Sequence, residues 1–259
     1  MMGDRSFSLL ALASLLALFL FFCVMLLSVL SYVGPRELIS SLLSEEILFS
    51  IRLSLITATI ATSACMVIAI PAAYALSRFD FTGKKVIDFI LYLPIGIPPV
   101  ALGATLLIFF STPLGRIFST RFVFEVPGII LAQFAVIGAL ATKILKATFD
   151  GVDREYESVA RTLGCTKFQS FYKVTLPLAK NGLLTAATIS WVRAMGEFGA
   201  TVMLAGAVRM KTETLPIAIW LNLQTADVVK MSSAILILVS VGLAALAIIQ
   251  KFGRRWSAI

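Results

Sequence analysis

Glu157-Ser-Val-Ala-Arg-Thr-Leu-Gly164, followed by Val174-Thr-Leu-Pro177, lies in a hydrophilic island from Asp150 to Lys180 between two long apolar runs. At helical period Tyr156, Val159, Ala160 and Leu163 fall at i, i+3, i+4 and i+7, whereas Arg154, Glu155, Glu157, Ser158 and Arg161 cover the other face. The spacing predicts a short amphipathic helix. Asp153 is placed to accept from the free N–H groups at its start, and Gly164 stands where a left-handed residue ends a helix at little cost. Thr166-Lys-Phe-Gln169 has capping-box spacing and predicts a second short helix, with Phe168, Phe171 and Tyr172 as an aromatic stripe and Pro177 as its stop.

The surrounding chain sets the class. Of 259 residues 59% are hydrophobic and the mean hydropathy is +0.97, far above the roughly 45–50% apolar content of soluble domains. An all-α integral membrane protein is predicted, one domain over residues 1–259, with six spans near 9–33, 53–76, 86–110, 127–145, 178–204 and 231–249. The island 150–177 projects between the fourth and fifth. The first run is too long for a cleaved signal peptide and reads as a retained helix. Arg36 to Arg52 reads as a surface helix or loop outside the membrane. The hydroxyls of Ser54, Thr57, Thr59, Thr62 and Ser63 in span two are expected to face protein.

The chain has no His and three scattered Cys, which leaves little material for a metal centre or a general base. No metal site and no catalytic residue is expected. The formal charge of +8 is chiefly a topology signal. Arg5, the 78–88 loop, the 143–180 island and the C-terminal tail hold fourteen of the 22 Lys and Arg, against seven on the other side. This two-to-one bias puts both termini and the island in the cytoplasm, and nucleic acid is not an expected partner.

Two spans carry unusual residues. Tyr92-Leu-Pro-Ile-Gly-Ile-Pro-Pro-Val100 interrupts span three with Pro94, Pro98 and Pro99, each removing a backbone donor. A bilayer tolerates such a break only where protein or water satisfies the freed carbonyls; it marks either a pore-lining position or a structural kink. Span five holds Arg193 and Glu197 at i,i+4 within Trp191-Val-Arg-Ala-Met-Gly-Glu-Phe-Gly-Ala-Thr201. Alone at the bilayer centre each charge costs about 2.5–3.5 kcal/mol, and pairing lowers that. The pair belongs either to a translocation path and its gate or to a lock on span five, with Gly196 and Gly199 allowing close backbone approach.

The island resembles the "EAA" loop of membrane permeases of prokaryotic ABC importers. Ala160, Gly164, Leu176 and Pro177 fall at the pattern's spacings, with Val159 for its first Ala and Val174 for its Ile. The pattern's Glu falls on Ser158, with Glu157 one residue earlier and rotated about 100° around the helix. Gly196-Glu-Phe-Gly-Ala-Thr201, Thr214-Leu-Pro-Ile-Ala-Ile219 in the last outer loop, Leu93-Pro94, Pro98-Pro99 and Pro71-Ala-Ala-Tyr-Ala-Leu-Ser-Arg78 are similar to the molybdate and tungstate branch, and sulfate permeases share much of them.

The resemblance implies a type I importer of a tetrahedral oxyanion. It would contain two copies of this permease, two ATPase subunits that bind ATP and Mg, and an external binding protein, in a prokaryotic cell membrane. It also implies that Tyr156, Glu157, Val159, Ala160, Leu163, Gly164, Phe168, Phe171, Leu176 and Pro177 couple to the ATPase. The gate would then include Pro94, Pro98, Pro99, Arg193, Glu197 and Gly199. No Walker-type phosphate loop occurs, so ATP hydrolysis is expected elsewhere and no cofactor in this chain. A sulfate or thiosulfate permease is the alternative. An ion-coupled secondary transporter would need internal repeats, and a membrane-embedded enzyme would need an interior nucleophile and base.

Overall fold

A computed structural model describes the backbone of residues 2–256 and the side-chain surroundings of residues 7–247. Arg5, Lys251, Arg254 and Arg255, used above to orient the termini, lie outside the described side chains. The described residues form helices joined by short turns: α1 Met2–Leu30, α2 Pro35–Leu42, α3 Glu45–Arg78, α4 Lys84–Gly96, α5 Pro99–Ser111, α6 Pro113–Phe122 and α7 Val126–Asp150. Next come α8 Arg154–Thr162, α9 Lys167–Ser170, a π-helical turn Phe171–Thr175, α10 Leu176–Leu178, α11 Lys180–Met195, α12 Gly199–Ala205, α13 Leu215–Gln224 and α14 Val228–Trp256.

The centre of the molecule is α3 lying along α7, with α11 against both. Small residues at helical spacing, Ala58, Ala61, Cys65, Ala69 and Ala73, line one face of α3. This lets Ile137, Ala141, Leu145 and Phe149 of α7 approach its backbone. Ser54, Thr57 and Thr62 are buried, Ser54 accepting from the Leu215 N–H of α13, whereas Thr59 and Ser63 lie on the outward face. There the Thr59 hydroxyl accepts from the Trp191 indole N–H.

Several expected boundaries differ. The second span begins at Glu45 rather than Leu53, so Arg52 stands inside a continuous 34-residue helix. The third is two helices bent by 113° between Gly96 and Pro99, because Pro98 and Pro99 cannot donate to the preceding turn. The fifth, expected as one helix over 178–204, is α11 and α12 with a break at 196–198. Thr214–Ile219 is not a loop: α13 buries Leu215, Pro216, Ile217 and Ala218. By length and composition α1, α3, α7 and α14 can each cross a membrane, and α4 with α5 makes a fifth crossing or a re-entrant pair.

Charged groups gather at two opposite ends. Beside the start of α3, Glu46 pairs with Arg209 and Lys230, and Glu125 pairs with Lys211. At the other end of α3 and α7 are Arg78–Glu157, Lys84–Asp80 and Lys146–Asp88. Among the described residues, the charged groups in these pairs fall on the same two sides that charge counting separates.

Candidate coupling surface and candidate gate

The island folds from local rules. Asp153 accepts from the Glu155 N–H at the start of α8, and Thr166 and Gln169 form a reciprocal capping box at α9. Gly164 has φ +92°. Its N–H donates to the Arg161 carbonyl and the Cys165 N–H to the Ala160 carbonyl, the paired bonds of a Schellman turn.

What locks the island to the body is Glu157. Its carboxylate accepts from the Tyr74 hydroxyl, the Arg78 Nε–H and the Thr175 hydroxyl, each at 2.8 Å. Arg78 also donates to the Val152 carbonyl, and Arg154 donates to the Ser77 carbonyl. Burial pushes the Glu157 carboxyl upward, but the hydrogen bonds from Thr175, Tyr74 and Arg78 outweigh it and hold the group below its ordinary value. The carboxylate one residue early in the pattern is therefore a structural anchor and not part of a solvated face. Tyr74 and Arg78 lie in the Pro71–Arg78 stretch that carries the resemblance, but nothing in the sequence pairs them with Glu157.

Turning Glu157 inward rotates α8. Tyr156 and Val159 are each 57% exposed, Leu163 80% and Phe168 74%. Ala160 is buried, against the expectation that it stands on the outward apolar face. Phe171 also turns inward, its ring 4.5 Å from that of Tyr74 and tilted over Phe149, while Tyr172 stays exposed. Leu176 is half-buried and Pro177 exposed.

Pro177 does not stop the helix. The π-helical turn before it carries the Leu176 N–H back five residues to the Phe171 carbonyl. This turn continues the helical path through a proline that cannot donate to it.

The second cluster forms where the two broken spans cross. A cleft of ≈ 200 Å³ is lined by Pro94, Ile97, Pro99, Leu102 and Val136, with Arg193 as its charged side chain. The Arg193 guanidinium pairs with Glu197 at 2.7 Å. The other Glu197 oxygen accepts from the Ala200 N–H at 2.9 Å. Glu197 is buried and caps the start of α12, which is why the chain breaks here; Arg193 is 37% exposed in its side chain.

A Cβ on Gly199 would meet the Val100 nitrogen at 3.0 Å, and one on Gly103 would meet the Ala200 Cα at 2.7 Å. Backbones therefore touch where α5 crosses α12. Pro94, Pro99, Arg193, Glu197 and Gly199 are thus brought together, with exposed Pro98 at the bend. Gln133, buried in α7, donates to the Ala194 carbonyl at 3.0 Å and helps satisfy the backbone at the break. It was missed, although a lone amide in an otherwise apolar run was the available signal.

Broken helices crossing in an apolar bundle, beside an anchored loop with an exposed apolar stripe, define a multi-pass membrane transport component. Residues 66–258 match the family model described as "Binding-protein-dependent transport system inner membrane component", and the chain belongs to that family. It is 36% identical over 221 residues, 85% of this chain and 81% of the relative, to the "Probable molybdenum ABC transporter permease protein" of Haloferax volcanii. It is 29% identical to the molybdate/tungstate transport system permease protein WtpB of Methanocaldococcus jannaschii, over 93% of this chain and 94% of the other. Among solved structures it is similar, at TM-score 0.77 and 18% identity, to a chain of a bacterial alginate ABC transporter in complex with alginate pentasaccharide-bound periplasmic protein. That likeness covers 98% of this chain and 96% of the other, and it shows the fold.

Proposed function

We propose that this chain is the membrane-spanning subunit of an ATP-driven importer of molybdate or tungstate. It works as a pair of identical copies with two ATPase subunits, which bind ATP and Mg, and an external oxyanion-binding protein. Both termini and the island face the cytoplasm of a prokaryotic cell. The observation that carries this reading is the island's two-sidedness: Glu157 fastens one side of α8 to α3, while Tyr156, Val159, Leu163 and Phe168 are left exposed on the other.

An apolar stripe on a polar loop is stabilised by a partner groove. ATPase closure on that stripe would pull a rigid lever, because Phe171 and Thr175 join the island to α10 and α11 without a flexible linker. The pull reaches the α11–α12 break, where Arg193, held by Glu197, presents the charged group of the cleft. Alternation then requires the ATPase to bind one state of the lever better than the other.

Uptake into liposomes containing this chain, its ATPase and its binding protein tests the reading, with radiolabelled molybdate, tungstate and sulfate. Uptake of the first two that needs both ATP and the binding protein is expected. Equal uptake of sulfate would move the assignment to the sulfate branch. Transport by the chain alone under an ion gradient would end the importer reading.

A further inference from the structure

A second cleft, ≈ 210 Å³, opens between the end of α3 and the island, and its lining includes Arg78, Arg154, Arg161 and Lys167 against the one carboxylate of Glu157. Glu157 is already engaged by Arg78. Among the described residues Arg154, Arg161 and Lys167 form no ion pair, and the nearby Asp80 is held by Lys84. Ser158 and Ser170 also line the cleft, their hydroxyls donating to the Arg154 and Glu157 carbonyls.

At 100° per residue, Arg154, Glu157, Ser158 and Arg161 occupy the side of α8 opposite Tyr156, Val159 and Leu163. A ligand in the cleft therefore leaves the apolar stripe free. Phe79 lines the cleft, and Phe79 and Phe81 are 45% and 41% exposed at the foot of α3. Cations clustered beside the end of a spanning helix attract anionic headgroups.

We propose that this cleft binds a tetrahedral phosphate-class anion, held by Arg154, Arg161 and Lys167, which ties α8 and α9 to the end of α3. The anion comes either from an anionic phospholipid headgroup or from free oxyanion in the cytoplasm.

The full chain in phosphatidylcholine nanodiscs, with and without phosphatidylglycerol, separates the two sources. Native mass spectrometry reads retained phosphatidylglycerol, and calorimetry in pure phosphatidylcholine reads inorganic phosphate and molybdate. Arg161→Gln with Lys167→Gln is compared with Lys85→Gln with Lys173→Gln, which removes the same charge outside the cleft; unchanged thermal unfolding shows that both variants fold.

Each cleft cation is worth roughly fivefold in affinity for a membrane-surface anion. The cleft variant is therefore expected to lose retention by about twentyfold or more, with the control unchanged. Retention of phosphatidylglycerol against saturating phosphate assigns the lipid, and phosphate or molybdate binding lost in the cleft variant assigns the free anion. The proposal is overturned if neither probe separates the cleft variant from the control. It is equally overturned if the cleft variant differs only in weaker association with the ATPase.

Discussion

Glu157 decides how the island sits, because one carboxylate gathers donors from α3 and from the π-helical turn. Hydrogen bonds to a charged group contribute about 1.5–3 kcal/mol each, enough to turn a carboxylate inward and an apolar stripe outward. Its folded carboxyl is depressed, so its contribution is present above the unfolded glutamate value of about 4.3. It is lost as pH falls through the folded value. Amide protection across residues 154–175, taken relative to the intrinsic exchange rate at each pH, is therefore expected to fall on acidification in the wild type. In Glu157→Gln that protection should be low already at pH 7 and change little with pH. Unchanged exchange in that variant would refute the anchor. Glu197 poses a sharper case because it is buried and ion-paired. Arg193→Met leaves a buried charge and is expected to destabilise by about 3–5 kcal/mol, whereas Arg193→Met with Glu197→Gln should be milder than the two singles added. Thermal unfolding of the three variants checks this, and simple additivity would show that the two groups do not act as a pair.

Among the elements, the island helices and the crossing of α5 with α12 respond differently to substitution. Gly164 at φ +92° has open space around a built Cβ, so Gly164→Val is resisted by backbone strain alone, on the order of 1–3 kcal/mol. The strain misdirects α9, and the expected result is normal insertion with reduced ATP-dependent uptake. Gly164→Asn, which tolerates the left-handed region better, should recover most of it. Ala160 is buried, so Ala160→Asp should loosen the island from the body, read as faster proteolysis after Arg161 or Lys167 even without the ATPase. At the crossing, Gly103→Leu would drive a side chain into the Ala200 backbone. Overpacking costs typically 1–3 kcal/mol, so lower thermal stability is expected there together with lost uptake.

For the whole molecule the orientation question reduces to three thiols. Cys165 is half-buried on the island, Cys65 is buried, and Cys23 lies in α1. An impermeant thiol reagent is expected to label Cys165 from the cytoplasmic side only, and labelling in sealed intact cells would reverse the topology. α1 carries a mean hydropathy of 2.9 over its most apolar window with none of it buried. A helix apolar all round needs lipid or another chain against it. Its apolar surface is thus covered by something other than this chain's own core.

Local order was legible in the sequence because it rests on near-neighbour chemistry. The Asp153 cap, the Thr166–Gln169 box and the left-handed Gly164 are all decided within a few residues, and the apolar runs of α1, α3, α7 and α14 announce themselves by length. The prolines marked the bend between α4 and α5 but not its 113° angle, which depends on what Gly103 and Gly199 allow α12 to touch. Which face of α8 turns inward could not be read from its periodicity. Amphipathic spacing separates an apolar side from a polar one without saying which meets the body of the chain, and only the fold brings Tyr74 and Arg78, some eighty residues away, to Glu157. The same holds for the support of the break after α11: Gln133 meets the Ala194 carbonyl only once α7 and α11 are packed. The sequence by itself determined helices, caps and the two charged ends; tertiary structure decided which polar groups are satisfied by one another, because burial of a polar group is stable only where a partner from elsewhere in the chain arrives to meet it.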